Sequence, residues 1–255
     1  MDDEETKKAM KEAHCEYVRR HPEVKTMISA FMTTLLLEKP TDVSAFAKEF
    51  FSCYKPSKFP PLVIAGPSGV GKGTLINRLM KQYPQLFGFS VSHTTRLPRE
   101  GEEYGKSYYF IEKQKFEEDI HIGLFLEYAQ VYGNWYGTSK TAVENVQKQH
   151  KICILDIDVQ GVQQVKERQA LQCNYLFISP PSLDDLEARL RGRGTETEES
   201  MKTRLGNARD EMSYGEKPGV FDAILVNGDL ENSYKELVDL LQKWYPQSDF
   251  VSVNP

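Results

Sequence analysis

PLVIAGPSGVGKGTLINRLMKQY, residues 61–83, decides the fold. An apolar run from Pro61 to Ala65 stops at Gly66, and a helical stretch begins at Thr74. Between them lies Gly66-Pro67-Ser68-Gly69-Val70-Gly71-Lys72-Gly73-Thr74, a glycine-rich turn in the strand-to-helix setting that a phosphate-binding loop requires. Glycines let successive backbone N–H groups turn inward on phosphate oxygens, and the helix that follows adds its positive N-terminus. Lys72 can bridge the β- and γ-phosphates as a point charge. These residues make a candidate ATP site. The hydroxyl residue that commonly follows the lysine and ligates Mg2+ is replaced by Gly73, and Thr74 comes one residue later. Mg2+ usually keeps several waters, so an ion held largely by nucleotide phosphates suits this loop.

Outward from the loop, apolar runs alternate with amphipathic stretches. KICILDID (151–158), CNYLFIS (173–179) and FDAILVN (221–227) read as buried strands. TLINRLMKQY (74–83), PSLDDLEARLRGR (181–193) and DLENSYKELVDLLQKWY (229–245) read as helices, the second opened by Ser182 with Asp185 three residues on, as in a capping box. Buried strands separated by helices predict an α/β fold with a parallel sheet core. Residues 89–138 differ, being rich in aromatics, Gly and Thr, and predict a small β-rich insertion. KPSKFPP (55–61) holds three prolines in seven residues and reads as a linker. The expected organisation is a helical module with linker at 1–58, a main domain at 59–248 and a tail at 249–255.

Composition removes several function classes. The 255 residues carry a net charge of −5, with 40% hydrophobic and 27% charged residues, as expected of a globular chain rather than a general nucleic-acid binder. No apolar run approaches the ~20 residues that span a bilayer, so no membrane insertion is expected. MDDEETKKAMKEAH at the N-terminus lacks the apolar stretch of a signal peptide, and its acids argue against a mitochondrial presequence, which leaves the cytosol. Cys15, Cys53, Cys153 and Cys173 form no C-x-x-C pair, and Cys153 reads as a small core residue. The arginines cluster, Arg96 with Arg99 and Arg189 with Arg191 and Arg193, which suits a small anionic ligand.

The clusters have a chemical reading. An acceptor that is already a phosphate needs fixed cations rather than a general base. Arg96 and Arg99 can offer forked donors to phosphate oxygens, and Tyr108 and Tyr136 phenolic donors. Glu127 sits in the apolar run GLFLEYA, where a carboxylate is costly unless paired. Guanine presents N1–H and N2–H2 side by side, so one carboxylate can accept both, and adenine has no such pair on that edge. Asp156 ends a strand, where an acid can orient Mg2+ or its waters. Asp158, two residues on, either faces the same site or caps the next helix. RLRGRGTETEES (189–200) sets Arg189 and Arg193 one turn apart at a helix end, with Gly192 and Gly194 as hinges, and Arg204 on the returning helix.

Phe89 to Arg99, Gly105 to Phe110, Phe125 to Ala129, Gly133 to Thr138, Leu155 to Gly161 and Arg191 to Glu199 together resemble the signature of the guanylate kinase family, over about Pro61 to Tyr245. The G-K-G-T form of the loop resembles that of nucleoside monophosphate kinases. The resemblance implies three parts: a P-loop core, a GMP-binding insertion at about 89–138 and a mobile lid at about 189–204. It implies ATP bound by Gly66, Ser68 to Thr74 and Asn227. GMP phosphate falls to Arg96, Arg99, Tyr108 and Tyr136, and guanine to Glu127, helped by Ser92, Thr138 and Asp158. Charge neutralisation falls to Lys72, Arg96, Arg189, Arg193 and Arg204, with Asp156 holding Mg2+ through water. The rival expectation is a non-catalytic guanylate-kinase-like interaction module, against which the intact Lys72, Asp156 and arginine-rich lid argue.

Before the linker, Val24, Ile28, Phe31 and Leu35 share a helical face, and Pro40-Thr41 starts a second helix carrying Val43, Phe46, Ala47, Phe50 and Phe51. Two short helices cannot make a core alone, so they pack on the main domain or on another copy. HPEVKTMISAFMTTLLLEKPTDVSAFAKEFF (21–51) resembles the RII-type dimerisation–docking module of cyclic-AMP-dependent protein kinase regulatory subunits. That resemblance implies a homodimer through residues 20–52 that takes an amphipathic anchoring helix, and tethering to a cilium or flagellum, where related modules occur.

Overall fold

A computed structural model describes residues 11, 14–18, 21–53, 59–131, 133–169, 171–192, 198–246, 248 and 250. The elements, in chain order, are α1 (Pro22–Glu38), α2 (Val43–Cys53), β1 (Leu62–Ala65), α3 (Lys72–Gln82), β2 (Phe87–Phe89), β3 (His93–Thr94) and β4 (Tyr109–Phe110). There follow α4 (Lys113–His121), β5 (Phe125–Val131), β6 (Asn134–Ser139), α5 (Lys140–Gln147), β7 (Ile152–Asp156) and α6 (Val159–Arg168). The chain closes with β8 (Asn174–Ser179), α7 (Leu183–Gly192), α8 (Glu198–Gly215), β9 (Ala223–Val226) and α9 (Leu230–Trp244).

Every strand of the main sheet is parallel, in the order β2-β7-β1-β8-β9. Its apolar residues divide by the period of two that a strand imposes. Leu62, Ile64, Ile152, Ile154, Leu176 and Ile178 enter the core cluster shared with α3, α7 and α9. Val63, Ala65, Cys153, Leu155, Tyr175 and Phe177 enter the opposite cluster with α5 and α6. A sheet covered on both faces needs unbroken apolar strands, which is why these runs do not alternate with polar residues. The helix opened by Ser182 is capped as expected, its Oγ accepting the Asp185 N–H at 3.0 Å.

The second sheet, β4-β3-β6-β5, forms the insertion expected at 89–138. Phe116 of α4 stacks on Phe125 and Trp135 with ring centroids 4.4 and 5.8 Å away, which anchors α4 to this sheet. Both ends of the main domain reach into its core. Phe59 packs edge-on against Tyr245, and Phe250, in the stretch read as a tail, meets Tyr83 and Phe87 at 5.3 and 6.0 Å. Residues 55–58 of the expected linker lie outside the described residues.

The N-terminal helices pair as an aromatic hairpin. Phe31 of α1 lies 5.9, 5.3 and 4.9 Å from Phe46, Phe50 and Phe51 of α2. α2 starts at Val43 rather than at Pro40-Thr41, because Asp42 is its cap and accepts the Ala45 N–H at 2.9 Å. α1 also packs on α5 of the main domain. Ile28 departs from the expected buried face and is 50% exposed.

Candidate active site

The phosphate-binding loop is built by geometry that only glycine tolerates. Gly66 has φ 147°, and a Cβ there would stand 2.2 Å from the Ile178 carbonyl oxygen. Gly71 has φ 104°, and its Cβ would meet Asn227 Nδ2 at 2.4 Å. Asn227 is buried beside the loop and donates to the Val70 carbonyl at 2.7 Å, so it supports the loop's shape. Lys72 opens α3 and curls over the loop, donating to the Gly66 carbonyl at 2.6 Å, with its Nζ 4.0 Å from Asp156 Oδ1. Gly73 and Thr74 lie exposed on the first turn of α3.

The lid meets the loop from above. Arg204 of α8 donates to Ser68 Oγ at 2.6 Å. Arg189 of α7 turns to the backbone, donating to Val70 at 3.1 Å, Asn227 at 2.7 Å and Gly228 at 3.1 Å. It thus braces the loop against the turn after β9, a role that spacing alone did not suggest. Arg193, the other expected lid arginine, lies outside the described residues, as does the rest of 193–197.

Across the cleft, the insertion sheet presents a buried acid. Glu127 on β5 is 5% exposed and faces Thr138 of β6. The Thr138 hydroxyl and backbone N–H both donate to its carboxylate. Ser92 Oγ lies 3.3 Å from the Thr138 hydroxyl. Either hydroxyl of this pair can be the donor. Gly161, on the first turn of α6, leaves the space that the acid occupies, since a Cβ there would stand 3.0 Å from Glu127 Oε2. Burial raises the Glu127 carboxyl to about 7 against the pull of Thr138, with the Asp158 charge adding to the rise.

Asp158 resolves the alternative left open by the sequence toward capping. β7 ends at Asp156, and Asp158 accepts the Gly161 N–H at 2.8 Å as N-cap of α6. Its charge still acts on Glu127, so the cap lies within reach of the acid's pocket. Asp156 is pushed up by burial and held back by Lys72.

Of the arginines expected to meet phosphate, Arg96 is held in place, while Arg99 is exposed and bonded through its backbone. Arg96 donates to both oxygens of Glu102 at 3.0 and 2.8 Å, and Glu102 also takes the Arg99 N–H at 2.7 Å. The Arg96 guanidinium lies 5.5 Å from the Tyr108 ring and bonds Tyr136. The Tyr108 and Tyr136 rings meet edge to face at 6.0 Å. Burial raises the Tyr108 phenol, which keeps it a neutral donor. Glu102 was missed in the sequence, although an acid three residues after Arg99 in the same loop was the signal. Arg168 was missed too. It caps β5 by donating to the Phe125 and Leu126 carbonyls at 3.1 and 2.9 Å, beside Glu127.

Among the described residues, no cluster of three or more His, Cys, Asp or Glu side chains could cage a metal. One acid at the end of β7 and a glycine after the loop lysine fit Mg2+ held mainly by phosphates and water.

A P-loop on a parallel sheet, faced by a separate β sheet with a buried acid and oriented arginines, defines a P-loop phosphotransferase with two facing nucleotide sites. The family described as guanylate kinase matches residues 58–244. The chain belongs to the guanylate kinase family. Guanylate kinase of Sus scrofa is 50% identical over 183 residues, covering 72% of this chain and 92% of that protein. Guanylate kinase 1 of Oryza sativa subsp. japonica is 58% identical over 181 residues, covering 71% of this chain but only 47%, about half, of that longer protein. The crystal structure of guanylate kinase from Anaplasma phagocytophilum aligns with a TM-score of 0.56 at 29% identity, covering 78% of this chain and 92% of that one. No described helix is long and apolar enough to cross a membrane.

Proposed function

We propose that this chain transfers the γ-phosphoryl of ATP to GMP, giving ADP and GDP. The observation that carries the reading is Glu127, a buried carboxylate backed by Thr138 and Ser92 on a sheet that faces an intact P-loop. The ATP side comprises Gly66, Ser68 to Thr74 and Asn227. The GMP side comprises Ser92, Arg96, Arg99, Tyr108, Glu127, Tyr136, Thr138 and Asp158. The phosphate of GMP is itself the nucleophile, so catalysis is positioning and charge neutralisation. Lys72 and Arg204 bring positive charge to the loop, and Arg189 and Arg193 complete the lid. Lid closure excludes water that would hydrolyse ATP. Mg2+ brought with ATP would neutralise charge on the phosphates, and Asp156 is the residue that would hold it, through water.

The test is ADP formation from ATP as a function of added GMP, with AMP as control acceptor. GMP-dependent ADP supports the reading. ATP binding without GMP-dependent turnover would make the chain an inactive interaction module instead.

Glu127 makes this reading pH-dependent. Its folded value, about 7, lies above the ordinary value of 4.5 that it has in the unfolded chain, so the native chain retains this proton between those pH values. The sign follows: stability from the protonated acid is full below 4.5 and is lost as pH rises through about 7. Guanine needs the ionised acid, so binding runs the other way and strengthens as the proton leaves. Guanosine, which has no phosphate to titrate, is the suitable competitor. Its inhibition constant is expected to weaken roughly tenfold per pH unit below that value. A flat profile between about pH 5.5 and 8 would remove Glu127 from the base site.

Residues 59–248 form the catalytic unit in this reading, and residues 20–52 a pairing module that takes an amphipathic anchoring helix. Ile28, Met32 and Leu36 recur every four residues on α1 and stay exposed, as do Val43 and Phe51 on α2, and this apolar stripe supports the module. Residues 1–58 carry ten acids and ten bases, so net charge does not oppose pairing. Light scattering is expected to give a dimer for the full chain and an active monomer for residues 59–255. A full-length monomer at tens of micromolar would leave α1 as a brace on α5 alone. The chain works in the cytosol, or at a cilium or flagellum if the module is anchored there.

A further inference from the structure

Glu211 lies on α8, seven residues after Arg204. Seven residues are two helical turns, so the two side chains share a face of α8, about 10 Å apart along its axis. That face looks into the cleft, because Arg204 bonds Ser68 of the P-loop. The helix itself is seated by Met201 and Ala208 in the core and packs on α6. At Glu211, Oε2 is buried and receives no hydrogen bond from any described group. The charges that act on this carboxylate are Lys72, from the ATP loop, and Asp158, from the edge of the Glu127 pocket. Burial raises it to about 7, Lys72 opposes the rise and Asp158 adds to it.

A buried acceptor without a donor is costly in a folded chain, and the sequence could have placed an apolar residue there. Its position indicates where a donor comes from. In the reading above, the acceptor nucleotide runs from its base at Glu127 to its phosphate at Arg96, Tyr108 and Tyr136. The phosphate end lies toward Asp156, whose charge acts on Tyr108. The sugar therefore spans the gap between Asp158 and the Lys72–Asp156 pair, and Glu211 is electrostatically coupled to both sides of that gap. The groups that a ribose brings there are its 2′- and 3′-hydroxyls, both hydrogen-bond donors.

We propose that Glu211 is a specificity-determining residue of the acceptor site and accepts a hydrogen bond from a ribose hydroxyl of the nucleoside monophosphate. The proposal rests on the GMP reading. It makes the lid helix read the acceptor as well as the donor: Arg204 meets the ATP loop and Glu211 the acceptor's sugar, so α8 seats fully only with both nucleotides present.

The experiment compares kcat/KM for GMP, 2′-deoxy-GMP and 2′,3′-dideoxy-GMP in the full chain and in Glu211→Gln and Glu211→Ala. The wild type is expected to favour GMP over the dideoxy nucleotide by at least tenfold, a typical effect of losing a hydrogen bond to a charged group. That preference should shrink several-fold in Glu211→Gln, which keeps one acceptor oxygen, and vanish in Glu211→Ala. The 2′-deoxy nucleotide identifies the hydroxyl. KM for ATP and the melting temperature of Glu211→Gln should stay near wild type. A wild type that uses both acceptors equally overturns the proposal before any variant is made. So does a preference unchanged in Glu211→Gln, or a loss that appears in KM for ATP equally with every acceptor. A wild type that phosphorylates no guanine nucleotide overturns the kinase reading itself, a different outcome visible in the first measurement.

Discussion

Replacing Lys72 by Met is expected to lower turnover of GMP by roughly 10^2–10^3-fold or more, the loss usual when one fixed donor to a transition-state charge is removed. The side chain is the loop's own cation, held by the Gly66 and Pro67 carbonyls at 2.6 and 3.4 Å. Those carbonyls orient its ammonium over the loop before nucleotide arrives. Met has a similar length and no charge, so the stem still packs while the charge is gone. The domain should remain folded, because Lys72 is not among the core residues, and circular dichroism checks this. The acids nearby should respond as well. Lys72 holds Asp156 and Glu211 down, so both should protonate more readily in the variant and move any activity that remains to higher pH. Turnover within tenfold of wild type would sink the ATP-site assignment.

Glu127→Gln is expected to raise KM for GMP strongly while barely affecting ATP. An amide offers one acceptor where a carboxylate offers two, and its NH2 would face guanine's N1–H or N2–H2. A site built to pair a polar group rejects a mismatch far more strongly than an apolar pocket rejects a change of size, and discrimination of about 10^3-fold or more is within reach. Part of the effect is internal. Thr138 offers its hydroxyl and its backbone N–H toward the carboxylate, and the Ser92 hydroxyl lies 3.3 Å from that of Thr138. An amide nitrogen placed there would leave at least one buried donor unpaired, at about 1–3 kcal/mol. The variant should also lose the pH dependence of guanosine inhibition, since the titrating group is gone. The decisive quantity is the ratio of GMP to AMP use. If that ratio is unchanged in Glu127→Gln, Glu127 does not read the base.

Much of the architecture was legible because it depends on local periodicity. Leu62 to Ala65, Ile152 to Asp156 and Asn174 to Ser179 are strands where the apolar runs predicted them, and the glycine-rich turn read as a phosphate-binding loop has positive φ at Gly66, Gly69 and Gly71. The buried acid at Glu127 was legible for a related reason. A carboxylate in an apolar run must have a partner, and its partner, Thr138, comes from the neighbouring strand of the same insertion.

What stayed hidden depends on which surfaces meet. Arg189 and Arg204 look alike in the sequence, two arginines on lid helices. Arg189 ends on the carbonyls of Val70, Asn227 and Gly228, while Arg204 ends on the Ser68 side chain. The difference is set by how α7 and α8 lie over the loop, and no short-range pattern encodes a crossing of helices that distant in the chain. Glu102 claims Arg96 through a loop whose course only tertiary packing decides. Asp158 could have extended β7 or begun α6, and the choice fell to the cap once β7 ended at Asp156. By itself, then, the sequence determined the parallel sheet, the phosphate loop and the buried acid of the insertion, because each follows from residue type and spacing within a few turns or strands. Only the tertiary structure decided which arginine reaches the loop's serine, which acid holds Arg96 and where Glu211 points, because these depend on contacts between elements far apart along the chain.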